Sequence, residues 1–148
     1  MKIDTVSQLI PILQVAIGPV VLVSGIGLLI LTMTNRLGRV IDRGRSLVRE
    51  LPEVPDHHRG RVTAQLGILT RRAELLRLAI IYATISVLLA AVLVIALFLT
   101  AAFQLEDVWL IGLLFIGALC ALIISLAVFI QDLNQSLVAF QLDIEAGL

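Results

Sequence analysis

Apolar positions fall into three long runs. Ile10 to Met33, Leu78 to Phe103 and Val108 to Ile130 carry no charged residue and hold 24, 26 and 23 residues. About 20 residues at 1.5 Å each cross a hydrocarbon core about 30 Å thick, so each run is long enough to span. The second run carries 15 Leu, Ile, Val or Phe, worth about −5 to −9 kcal/mol of insertion on a translocon scale. Buried helices of a soluble bundle would carry polar stripes at helical period, and these runs have none. The pattern predicts an all-α integral membrane protein with three transmembrane helices. Its segments are 1–34 (N-terminal segment and span one), 35–77, 78–103 (span two), 104–107 (a short outer turn), 108–130 (span three) and 131–148.

The insert 35–77 reads as an antiparallel helical hairpin. One arm runs from about Arg36 to Leu51, with Leu37, Val40/Ile41, Leu47/Val48 and Leu51 on one face. The other runs from about Arg59 to Arg77, where Val62, Leu66, Leu69, Ala73 and Leu76 form a 4-3-4-3 seam suited to helix pairing. Pro52 and Pro55 stop the first arm, which predicts a turn over residues 52–58. Each arm is expected to continue its adjoining span. Asp4 or Thr5 can cap a short first helix that Pro11 interrupts. After Ile130, Leu133, Leu137, Phe140 and Ile144 keep helical spacing while Asp132, Gln135, Asp143 and Glu145 take other faces, an amphipathic extension of span three.

Charge sets the orientation. Ten arginines lie between Asn35 and Arg77, whereas the connector Gln104-Leu105-Glu106-Asp107 has no basic residue. The positive-inside rule then places the hairpin in the cytoplasm, the N-terminus outside and the C-terminus inside. Trp109 and Tyr82 suit the aromatic belts at the two interfaces. The formal net charge of +0 gives no general attraction to nucleic acid, and one cysteine excludes an intrachain disulfide and a cysteine metal cluster.

Gly18-Pro19-Val20 in span one, followed by Thr34-Asn35-Arg36-Leu37-Gly38-Arg39-Val40-Ile41-Asp42-Arg43-Gly44-Arg45-Ser46-Leu47, resembles a bacterial family of small three-span membrane proteins catalogued as a domain of unknown function. Its pattern is an Arg-Leu-x-Arg-x-x-Asp-Arg-x-Arg-x-Leu run after a proline-containing first span. Ser136-Leu137-Val138-Ala139-Phe140 is similar to the family's C-terminal signature, so the resemblance covers nearly the whole chain. It implies a bacterial inner-membrane location and brings no activity or site residue.

The chemistry available is narrow. The spans contain none of the ionisable groups that proton-coupled carriers and voltage sensors use. No nucleophile elbow, phosphate-cradling glycine loop or paired catalytic carboxylates are present, so neither enzyme activity nor a cofactor is expected. His57 and His58 lack the further ligands of a metal site. Gln14, Gly18, Gly25 and Thr32 share a face of span one, which serves either as a close-packing surface beside the Pro19 kink or as a pore lining. Gly117, Ala121 and Ser125 make a small-residue ladder for helix packing, within or between chains, with Cys120 as a small buried neighbour. Arg36, Arg39 and Arg43 share a face next to the membrane and can contact anionic lipid headgroups or a permeating anion.

Three spans enclose little interior, which favours a homo-oligomer. Two functions follow. One is a homo-oligomeric, channel-like protein with a basic cytoplasmic mouth. The other is a non-conducting scaffold whose hairpin and C-terminal helix bind a protein partner or anionic lipid.

Overall fold

Three helices contain nearly every residue described by the computed structural model, which covers 6–103 and 108–145, with side chains placed at 10–11, 13–103 and 108–136. Helix α1 is Val6–Glu50, α2 is Asp56–Phe103 and α3 is Val108–Glu145; a short 3₁₀ turn, Leu51–Glu53, follows α1. All three are long and apolar enough to cross a membrane, as in a multi-pass membrane protein. No break separates span one from the arginine-rich segment after it, nor the second arm from span two. The proposed caps Asp4 and Thr5 and the connector 104–107 lie outside the described residues.

Two expectations at helix ends are corrected. Pro11 does not interrupt α1, which runs through both Pro11 and Pro19. Pro11 is the sixth residue of α1, so it forfeits the bond from its own nitrogen to the Ser7 carbonyl, and the helix tolerates that single loss as it does the one at Pro19. The turn after α1 is also shorter than 52–58, because His57 and His58 belong to the first turn of α2. The His58 amide donates to the Pro55 carbonyl at 2.9 Å, and Arg59 Nε donates to the Val54 carbonyl at 3.3 Å. Asp56 stands in that first turn, where a negative charge meets the positive end of the helix dipole, and pairs with Arg59 at 3.0 Å. Pro55 thus stands directly before a helix start as well as after a helix end.

The chain divides into two compact units. The first comprises Met1–Ile30 and Tyr82–Ile124. Its buried positions are mostly small: Ala16 on α1; Ala83, Ser86 and Ala90 on α2; Ala118 and Ala121 on α3, joined by Ile26 and Leu93. Small side chains let helix backbones approach closely, which is how helices associate where solvent is as apolar as the side chains. Large residues such as Ile17, Leu28, Leu88, Ile95, Leu113 and Ile116 point outward, as lipid-facing positions do.

The second unit comprises Leu31–Ile81 and Ser125–Leu148. Met33, Val40 and Leu47 are buried on α1 at intervals of seven, and Leu76 and Ala79 on α2. The 62–76 seam is the less exposed face of its helix, whereas Ile41 and Val48 of the first arm are exposed and only Val40 and Leu47 of those pairs face inward. Strict seven-residue spacing selects one member of each adjacent pair. Ser125 and Asp132 of α3 complete this interior, and both are fully buried.

Candidate functional site: an arginine cleft around a buried aspartate

Asp132 is the chemical centre of the second unit. The sequence reading assigned it to a polar face of an amphipathic helix; instead its side chain is 0% exposed. Arg36 Nη2 of α1 donates to its Oδ2 at 3.1 Å, and Arg72 Nε of α2 donates to its Oδ1 at 3.2 Å. Each carboxylate oxygen therefore takes one guanidinium, and the two arginines come from different helices. A lone buried carboxylate is costly, and paired cations offset that cost when hydrogen-bond geometry is good. The Arg36 guanidinium also stands 5.5 Å from the centre of the Phe129 ring, within cation–π range.

An open cleft of about 290 Å³ adjoins this triad, lined by Arg36, Arg39, Val40, Arg43, Leu69 and Arg72. No acidic residue lines it. Arg39 and Arg43 are exposed and have no ion-pair or hydrogen-bond partner among the described residues. Arg36 Nε is buried without an acceptor among the described residues. Of the three arginines expected to act together, Arg36 is thus committed inward while Arg39 and Arg43 remain available. Arg72 was missed. Its signal was present: it precedes span two by six residues as Arg36 follows span one by three, so both fall near the same membrane boundary.

The other sequence candidates separate into inside and outside. Gly117, Ala121 and Ser125 pack within the chain: a Cβ on Gly117 would meet Leu89 Cδ1 at 3.6 Å, and Ala121 and Ser125 are buried. Ser125 Oγ donates to the Ala79 carbonyl at 2.7 Å. Ser86 Oγ makes the equivalent bond to the Ala118 carbonyl, also at 2.7 Å, and sequence reasoning missed it. Its signal was the spacing of Ala79, Ala83, Ser86 and Ala90, a small-residue row on α2 matching the ladder on α3. Cys120 is exposed, not buried, because the ladder turns its neighbouring position outward. Gln14, Gly18, Gly25 and Thr32 are all exposed, with open space where a Cβ on either glycine would lie. They take no part in packing the interior of this chain.

His57 and His58 are exposed, their ring centres 4.1 Å apart, and no group of three metal-ligating side chains gathers among the described residues. No curated protein and no solved structure matches the chain. A family model matches residues 16–142, taking in all of α2, most of α1 and α3, the Arg36–Asp132–Arg72 triad and the cleft beside it. The chain therefore belongs to the family described as "Protein of unknown function (DUF2721)".

Proposed function

We propose that the protein is a homo-oligomeric, channel-like protein of the bacterial inner membrane, with its N-terminus outside and its C-terminus in the cytoplasm. In this reading the residues around the Leu51–Pro55 turn form a cytoplasmic helical hairpin, and the exposed arginines flank a cytoplasmic mouth. The observation that supports it is the outward placement of Gln14, Gly18, Gly25 and Thr32 on an otherwise apolar span. A glutamine amide left in hydrocarbon costs several kcal/mol. A neighbouring subunit or a water path removes that cost, and the two glycines leave room for either.

The alternative is a non-conducting scaffold whose hairpin and C-terminal helix bind a protein partner or anionic lipid. The internal commitment of Arg36 favours it, since one of the three arginines assigned to a mouth is already paired. Both readings assign no enzyme activity, cofactor or nucleic-acid partner.

Purified protein reconstituted in nanodiscs and planar bilayers separates them. The channel reading expects a multimer by light scattering, ion current, and loss of both on Gln14→Leu with Gly25→Leu. Arg39→Glu with Arg43→Glu should move the reversal potential toward cations, most strongly at low salt, because the Debye length is about 8 Å at physiological ionic strength. A multimer that passes no current across voltage and membrane tension supports the scaffold. A monomer in both settings overturns the channel.

A further inference from the structure

We propose that the cleft formed by Arg36, Arg39, Arg43 and Arg72 is a binding site for one phosphate group, carried either by a phospholipid headgroup or by free inorganic phosphate. The inference does not depend on oligomerisation or conduction, because every lining residue belongs to one unit of one chain.

Four arginines line the cleft, and a single carboxylate, Asp132, is shared between two of them. Three positive charges are thus left without a counter-charge at the site. Asp132 occupies Arg36 Nη2 and Arg72 Nε, which leaves the remaining donors of both groups and all those of Arg39 and Arg43. Arg36 Nε in particular is a buried N–H with no acceptor, an arrangement that an incoming anionic oxygen would resolve. The aspartate acts as a positioning residue. By taking one edge of Arg36 and one of Arg72, it restrains two long side chains that would otherwise be mobile, so that less order is lost when an anion binds.

The chemistry of the donors selects the ligand. Planar guanidinium forks match the paired oxygens of phosphate, and several arginines from two helices around one cleft suit a tetrahedral oxyanion with acceptors in more than one direction. The walls completed by Val40 and Leu69 offer no polar group that would prefer a cation. Arg36 follows the last residue of the first apolar run by three positions and Arg72 precedes the second run by six, which places the cleft at headgroup depth when the runs span.

The test uses the full chain in a maltoside detergent free of phosphate, with two probes: inorganic phosphate and a short-chain phosphatidylglycerol. Binding is read by calorimetry, and stoichiometry by native mass spectrometry. Arg39→Gln with Arg43→Gln removes the two unpartnered groups and should leave helicity and melting unchanged, since neither side chain has a partner within the described residues. The control is Arg45→Gln with Arg61→Gln, which removes equal charge from exposed positions outside the cleft.

The expected result is one phosphate group per chain, bound about 10- to 100-fold more weakly by the cleft variant and little affected in the control, as loss of charge-assisted bonds implies. Mutual competition between the probes identifies one site open to both sources. Binding of the lipid alone identifies a headgroup site, and binding of inorganic phosphate alone a soluble-ligand site. No binding of either probe, or equal weakening in the control, overturns the proposal.

Discussion

The two units of this chain solve one packing problem with different chemistry. In the first, helix segments meet through alanine, glycine and serine, and the buried polar contact is a hydroxyl donating to a helix carbonyl, Ser86 to Ala118. In the second, the interior holds a carboxylate bound by two guanidinium groups. Hydrocarbon gives helices no hydrophobic reason to associate, so close approach of small residues and sparing hydrogen bonds must suffice. Near an aqueous boundary, arginine stems can pack inward while part of each guanidinium reaches water; the Arg36 and Arg72 side chains are 23% and 16% exposed, against 0% for Asp132. A charge is thus tolerated in the interior only where its partners stay partly solvated.

Asp132→Ala is the strongest way to break this contrast. It leaves two half-buried arginines facing each other without their counter-charge, and should destabilise the second unit by about 3–5 kcal/mol. Thermal unfolding in detergent, followed by helicity, measures the loss. A change below about 1 kcal/mol would mean that the triad contributes orientation and little stability.

The first unit has its own weak point at Gly117. Gly117→Leu forces extra methylenes against Leu89 and should cost about 1–3 kcal/mol. Gly117→Ala should be nearly neutral, because its Cβ would sit 3.6 Å from Leu89 Cδ1, an ordinary contact. Equal melting of wild type and the leucine variant would show that the ladder does not set the helix separation.

The smallest effects belong to the hydroxyls. Ser86→Ala and Ser125→Ala each remove one buried interhelical bond of 2.7 Å and should cost about 0.6 to 1.7 kcal/mol. These serines allow a direct comparison, since the same bond occurs once in each unit. Matching losses would show that the hydroxyl bond is insensitive to the neighbouring charges; a larger loss at Ser125 would show cooperation with the Asp132 network.

Much of the helical framework was legible because its signals are local. The uncharged runs, the absence of a break between span and arm, and the ladder at Gly117, Ala121 and Ser125 depend on spacing along one helix. The errors arose where one residue type serves two purposes. Pro55 reads as a stop and is also a good neighbour for a helix start. Pro11 reads as a breaker, yet α1 runs through it as it runs through Pro19. Val40/Ile41 and Leu47/Val48 offered two equal choices of face, and only packing chose between them.

Three apolar helices of spanning length and arginine-rich flanks to the first two follow from the sequence alone, because transfer free energy and helix periodicity act residue by residue. Helix packing makes Asp132 interior, sets Arg36 and Arg72 on it, and leaves Arg39 and Arg43 open beside them. Those partners lie 96 and 60 residues away along the chain. An acidic residue just beyond an apolar run looks the same whether water or two arginines receive its charge. Its environment is set by which helix faces meet, a property of the packed helices together and not of any one of them.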